Sequence, residues 1–414
     1  GRAAARLADS VRAAAARLRG LDGVDATWCD GLPAAAKTLH RLLGTIPGGV
    51  QFRHGAADPL PFDVVVVDEA SMIDLPLMCK LSEAVADGAR LLLLGDRDQL
   101  PSIEAGDVLA AISDAAAGDA TIGCAALPAD IARTLAPLLG DVAVAAQPQP
   151  LLAGHRVHLQ RGYRQVASLD LAPLAAAVRD GDAERALALL RGGLPGVTFQ
   201  PDLEDPLAGP SRARLLDAWR GIANAGDPRA ALVQAARVRL LTALRDGAQG
   251  AIALNARIEE ALAGVRREVY FHGRLLLVQQ NDYRQQLFNG DMGVCWRGDD
   301  GEIAVWFADG SDDGVRRVHP SALPAHDSAF AMTVHKAQGS EFDSVWLLLP
   351  RHDARTLSRE LVYTAITRAR CELHVCASED AVRAALERHV VRVSGLQQRL
   401  QAVPRNEKQT SSIS

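Results

Sequence analysis

The sequence predicts a doubly wound α/β fold with a parallel sheet, interrupted by a small antiparallel β-barrel. Three observations predict it. Two short apolar runs, at 64–67 and 91–94, lead straight into the polar clusters DEASMID and GDRDQLPSIEAGDVL. Buried parallel strands deliver residues to a shared crevice at their carboxyl ends in this way. Between residues 270 and 325 the character changes to the short β segments GRLLLVQQN, MGVCW, EIAVWFADG and VRRVHPSAL, punctuated by Gly and Asp, as in an antiparallel unit. The strand–polar segment–strand pattern then resumes in FAMTVHKAQGSEFDSVWLLLP, followed by RELVYTAITRAR, so the antiparallel unit is an insertion in an α/β domain.

In chain order, residues 1–19 have helical periodicity, and KTLHRLLG (37–44) is a short helical piece carrying Thr38, His40 and Arg41. The Gly and Pro residues of 44–61 around VQFRH fit a small hairpin or a plain surface loop. Val64 to Val67 read as a strand buried on both faces, followed by a helix starting near Asp74, with Pro76 in its first turn, and running through Val85. Residues 110–158, rich in Ala and Pro, read as a connector with a helix over 129–139 and a loose segment at 145–153. HLQRGYRQ (158–165) presents Arg161 and Arg164 before one helix through Ala172–Leu190. VRLLTAL is a strand, with a helix after Asn255. RELVYTAITRAR (359–370) reads as a helix bearing Arg368 and Arg370, followed by the strand LHVCA; the tail from 396 to NEKQTSSIS is expected to be disordered.

Composition narrows the function classes. The 414 residues give room for two or three domains, and 48% hydrophobic with 23% charged residues is ordinary for a globular chain. No apolar run approaches a membrane span. A net charge of −5 means that any nucleic-acid surface must be local. Six scattered cysteines without a CxxC pair favour thiols in a reducing cytoplasm. GRAAARLADSV lacks Met and reads as the inside of a helix, so the chain is expected to begin within a domain.

Asp68 and Glu69, at a strand's carboxyl end, suit Mg²⁺ carrying a nucleotide phosphate, one as ligand and the other as general base on water. The same pair suits a cap on the next helix equally well. Gln99 could bond a terminal phosphate or its attacking water, or be an exposed turn residue. Arginines such as Arg164 are solvated by default. Lys336 stands out because the chain holds four lysines, at 37, 80, 336 and 408. No further acidic cluster with a neighbouring lysine suits two-metal phosphodiester cleavage.

In this order, VVVVDEASMID, GDRDQLPSIEAGDVL, GYR, TVHKAQGSEF and RELVYTAITRAR resemble the later motifs of superfamily 1 DNA helicases. GRAAARL, KTLHRLLG, LFNGDMG and HPSALPAH sharpen the resemblance to the RecD-type family, alpha subunits of exodeoxyribonuclease V. It covers the chain to about residue 395. It implies two RecA-like motor domains of P-loop NTPase type, the first, incomplete one over 1–155 and the second over 156–265 and 329–395. An SH3-like β insertion would occupy 266–328, and 396–414 would be a disordered tail. ATP with Mg²⁺ would bind between the domains, and single-stranded DNA would be followed 5′→3′.

The resemblance assigns Mg²⁺ to Asp68, water activation to Glu69 and phosphate sensing to Gln99. Arg164 and Arg368 would be arginine fingers, with Gly339 and Glu341 beside the nucleotide. Thr38, His40, Thr333, His335 and Lys336 would lie on or near the DNA path; His335 suits a structural histidine nearly as well. Implied partners are RecB, RecC and duplex-end DNA at double-strand breaks, the nuclease lying on a partner subunit. A free-standing helicase of the same type, or a non-catalytic DNA-binding or assembly module, are the alternatives. One departure matters: no Gly-Lys-Thr or Gly-Lys-Ser phosphate loop occurs, so the chain alone is expected to hydrolyse ATP poorly or not at all.

Overall fold

The structure is a computed structural model. It describes residues 2–19, 25–30, 32, 36–46, 49, 51–102, 106–117, 129–139, 152–159, 165, 168–201, 205–309, 314–352, 354–390, 392 and 394–403. Twelve strands are defined among these: β1 (Val64–Val67), β2 (Arg90–Leu93), β3 (Val197–Gln200), β4 (Val238–Thr242), β5 (Leu275–Val278) and β6 (Met292–Arg297). Then follow β7 (Ile303–Ala308), β8 (Val315–Val318), β9 (His326–Ser328), β10 (Ala331–Thr333), β11 (Phe342–Leu348) and β12 (Ala369–Cys376). The chain divides into two compact units, one of residues 39–161 with 391–414 and the other of residues 1–38 with 162–390.

In the first of these units β1 and β2 pair in parallel. Between them lies the helix Leu75–Ala84; Asp74 caps it by accepting from Leu77 N, with Pro76 in the first turn. The core beneath the strands holds Val65, Val67, Leu43, Leu60, Leu81 and Val108. The expectation of burial on both faces is corrected here: Val64 and Val66 are 50% and 44% exposed, and Leu92 and Leu94 are exposed on β2 and just beyond it. Alternate residues of β1 point to the helix-covered side, and the other side is open among the described residues. A second correction concerns the tail. Residues Leu396–Ala402 form a helix against the helix Val108–Ala117, and Leu396 packs on this core. Arg392 donates to Ser102 O in the same region. Residues 404–414 lie outside the described residues. At 44–61 two antiparallel bridges form, Thr45 to Phe52 and Gly55 to Asp58, with no strand among the described residues.

The second unit holds an all-parallel five-stranded sheet in the order β10-β4-β11-β12-β3. The single helix expected over 172–190 is two, Ala172–Asp180 and Ala183–Gly192. Gly181, at φ 72°, ends the first as an αL cap, and Asp182 caps the second by accepting from Arg185 N. The expected helix over 359–370 stops at Ile366, which places Arg368 after its end and Arg370 on β12.

Between the helix Ala251–Ala263 and β10 the chain leaves the parallel sheet to form a five-stranded antiparallel sheet, β8-β7-β6-β5-β9. Its ladder has β8 and β9 as edges, so the expected barrel is an open ladder among the described residues. Glu259 ties it to the helix: its carboxylate accepts from Arg274 and Arg267 and from the Ser328 hydroxyl. Asn255 joins in, donating to Ser328 O and Ala331 O and accepting from Ala331 N.

His374 on β12 stacks on Trp346 of β11, with ring centroids 4.0 Å apart, and is 3% exposed. Burial, with help from Arg214, holds its pKa below the usual 6.5. The fold therefore favours the neutral ring. The stability this contributes is complete above 6.5 and is lost as pH falls through 6.5 toward the lower folded value. Melting temperature should fall below pH 6.5, and His374→Phe, which keeps the stack, should flatten that slope. An equally steep slope in the variant would contradict the assignment.

Candidate functional site

At the carboxyl end of β1 the chain turns sharply. Glu69 adopts φ 54°, a left-handed conformation that costs a non-glycine residue about 1–3 kcal/mol. Its amide donates to Asp68 Oδ1 at 2.9 Å, and Asp68 is exposed. The end of β2 is locked alongside: Leu94 N donates to Val67 O and Ala70 N donates to Leu94 O. A Cβ on Gly95 would lie 2.8 Å from Leu109 Cδ2 and 3.1 Å from Ala70 N, so only glycine allows this approach. DEAS and GDRDQ thus meet at one sheet edge.

Gln99, far from an exposed turn residue, is 5% exposed. Its Nε2 donates to Asp96 Oδ2 at 3.3 Å, and its buried Oε1 has no partner among the described residues. An orphaned buried acceptor on a side chain that bonds the Asp96 carboxylate is the kind of polar atom that a ligand or water satisfies. No group of three or more His, Cys, Asp or Glu able to hold a metal occurs among the described residues. One exposed carboxylate suits Mg²⁺ that keeps waters and takes its other ligands from phosphates, so Asp68 fits that role.

In the other unit the residues singled out fall at two ends of the parallel sheet. At the carboxyl end of β10, Thr333 caps the turn Val334–Ala337 by accepting from Lys336 N. Lys336 is exposed, and its Nζ lies 3.5 Å from Asn289 Oδ1 in the loop between β5 and β6. Desolvation of the ammonium, with Arg245 nearby, holds its pKa below the usual lysine range against the pull of Asp327. His335 is half-buried.

At the amino ends of β11 and β12 lie Gly339 (φ 69°), the half-buried Glu341 and Arg368. Arg368 is 1% exposed and donates to Thr364 O at 3.1 Å, Ser340 O at 3.4 Å and Thr367 Oγ1 at 3.4 Å. Its guanidinium therefore braces the Gly339–Glu341 segment. Thr38 is half-buried; His40 is exposed and meets Phe52 edge-on at 5.7 Å. Arg164, with Arg161, lies outside the described residues. The contact of Asn289 with Lys336 went unread in the sequence, where Asn289 enters only within LFNGDMG.

Two family models match: the AAA domain over residues 1–105 and the UvrD-like helicase C-terminal domain over 328–376. With the parallel sheets, these place the chain in the helicase class of α/β nucleotide-binding folds. The RecBCD enzyme subunit RecD of Mycobacterium tuberculosis is 40% identical over 412 residues, 97% of this chain and 63% of the relative. The RecD subunit of Haemophilus influenzae is 33% identical, over 96% of this chain and 63% of that protein. The ATP-dependent RecD2 DNA helicase of Deinococcus radiodurans is 31% identical, over 89% of this chain and 43% of its own length. A solved Bacteroides Pif1 bound to ssDNA superposes with TM-score 0.42 at 14% identity, covering 84% of this chain and 81% of that one, a likeness too distant to argue from. The chain is thus similar to RecD subunits along nearly its whole length. It spans 63% of the length of the RecD relatives named above.

Proposed function

We propose that the chain is the greater part of an ATP-driven motor that moves 5′→3′ along single-stranded DNA, working with RecB and RecC at duplex ends in break repair and recombination. The observation that carries this is the 40% identity with a RecD subunit over 97% of the chain. Its frame would be two RecA-like domains, one over 1–155 and the other over 156–265 and 329–395, with an SH3-like unit over 266–328. Its thiols, seen as free at Cys29, Cys79, Cys295, Cys371 and Cys376, suit a reducing cytoplasm.

Each residue has a task. Asp68 would hold Mg²⁺, which when bound would supply charge neutralisation at the terminal phosphates of ATP. Glu69 takes a proton from the attacking water, held at its angle by the left-handed turn. Gln99 offers its orphaned Oε1 to that water. Arg164 and Arg368 stabilise charge developing on the phosphoryl group, and Gly339 and Glu341 border the nucleotide. Thr38, His40, Thr333, His335 and Lys336 follow the DNA backbone, as a motor indifferent to sequence requires.

These 414 residues contain no Gly-Lys-Thr or Gly-Lys-Ser, so turnover is best measured in a fusion that places the phosphate-loop segment of the Mycobacterium tuberculosis relative before Gly1. That fusion should hydrolyse ATP faster with single-stranded DNA, and the 414-residue chain should show little turnover. Lys336→Ala in the 414-residue chain should weaken single-strand binding across all sequences and reduce the magnitude of the salt slope by about 0.7. An unchanged slope would remove Lys336 from the DNA path. The 31% identity with RecD2 supports a free-standing helicase as a second reading; failure to co-purify with RecB and RecC would favour it.

A further inference from the structure

The loop between β5 and β6, residues 279–291, is braced far beyond what a surface turn needs. Asp282 and Leu287 exchange backbone bonds. Asp282 Oδ1 accepts from the amides of Arg284 and Gln285, Asn281 Oδ1 from Asn289 N, and Asp291 Oδ2 from Phe288 N. From β8, Arg316 donates to Gln285 O and Gln286 O, and Gln286 is held at φ 51°. Leu287 anchors the loop in the core of the antiparallel sheet. What this frame holds out to solvent is Tyr283, 60% exposed and set edge-on to Phe288 at 5.9 Å.

The surroundings are basic and polar. Arg284, next in sequence to Tyr283, is exposed, and Asn289 at the loop's far end touches Lys336, which in turn feels the charge of Arg245. A ring held on a pre-ordered frame loses little entropy on binding. Aromatic faces beside cations match unpaired nucleotides: every base has a face to stack, and the cations meet phosphates. Duplex DNA offers no such face.

We propose that Tyr283 is a base-stacking contact for an unpaired nucleotide, presented by the β5–β6 loop next to Lys336. The proposal rests on the single-strand motor assigned above and adds to it a contact with the bases, where the other DNA residues meet the backbone.

The test is fluorescence anisotropy of the 414-residue chain with a labelled oligothymidine strand and with the same strand made abasic. Tyr283→Ala should weaken oligothymidine binding by about 5- to 150-fold with an unchanged salt slope. Tyr283→Phe should bind as the parent does, and on the abasic strand all three should bind alike. If Tyr283→Ala matches the parent on oligothymidine while Lys336→Ala weakens binding, the stacking proposal falls and the DNA path stands. If the parent itself binds no single strand, the motor reading falls, and the stacking contact with it. Should Tyr283→Ala lose its fold by circular dichroism, the parent decides alone: equal affinity for both strands overturns the proposal.

Discussion

In the loop-bearing fusion, Glu69→Gln should lower DNA-stimulated ATP turnover by about 10²–10⁴-fold while leaving nucleotide binding nearly intact. The amide keeps the shape of the carboxylate and its left-handed backbone, so only the capacity to accept a proton is lost. The strained turn supplies a second, independent readout. Glu69 sits at φ 54°, where glycine pays no steric cost. Glu69→Gly in the 414-residue chain should therefore raise unfolding stability by roughly 1 kcal/mol, although in the fusion it should turn over no better than Glu69→Gln. A glycine variant that is less stable than the parent would mean that the carboxylate holds the turn, and Glu69 would revert to the capping role that its sequence position equally allowed.

Arg368→Ala should have an effect as large on turnover and a second one on the fold. As an arginine finger the side chain is worth about 10³–10⁵ in rate. In the structure the same guanidinium is 1% exposed and satisfies Thr364 O, Ser340 O and Thr367 Oγ1. Removing it strands buried acceptors, at a cost on the order of 2–5 kcal/mol. The bonds cited use three of the five guanidinium N–H groups, and the 3.4 Å bonds to Ser340 O and Thr367 Oγ1 are the easier ones to give up if the group turns toward a phosphate. Arg368→Lys separates the two roles: a lysine cannot serve three divergent acceptors, so stability should fall, and the lost fork should also cost rate. If Arg368→Lys loses stability alone, with turnover intact, Arg368 is a brace and nothing more.

Much of the architecture was legible in the sequence because its signals are local. Asp74 and Pro76 announce a helix start by cap chemistry, and they cap and begin one. The runs at 64–67 and 91–94 read as parallel strands, and β1 and β2 pair so. What was not legible depends on distant partners. Four valines in a row say that a strand is apolar but not whether both of its faces are covered, and Val64 and Val66 are exposed. The break at Gly181 carried its signal, glycine followed by a capping aspartate, yet apolar periodicity on both sides hid it. The helix Leu396–Ala402 owes its place to packing against Val108–Ala117, which no local pattern in LQQRLQA discloses.

The site divides along the same line. That Asp68, Glu69 and Gln99 share one edge follows from two strands ending in polar clusters, and the structure brings those strand ends together. The burial of Gln99 and Arg368 does not follow: Gln99 sits in a turn pattern that reads as exposed, and Arg368 is held against Ser340, 28 positions away. The contact of Lys336 with Asn289 joins residues 47 positions apart across the inserted sheet.

The most direct test of a 5′→3′ single-strand motor is displacement of streptavidin from biotinylated oligonucleotides by the loop-bearing fusion in the presence of ATP. Streptavidin on the 3′ end should be driven off, that on the 5′ end should stay, and Glu69→Gln should displace neither. Loss from the 5′ end alone, or no displacement despite strand-stimulated hydrolysis, would contradict the account.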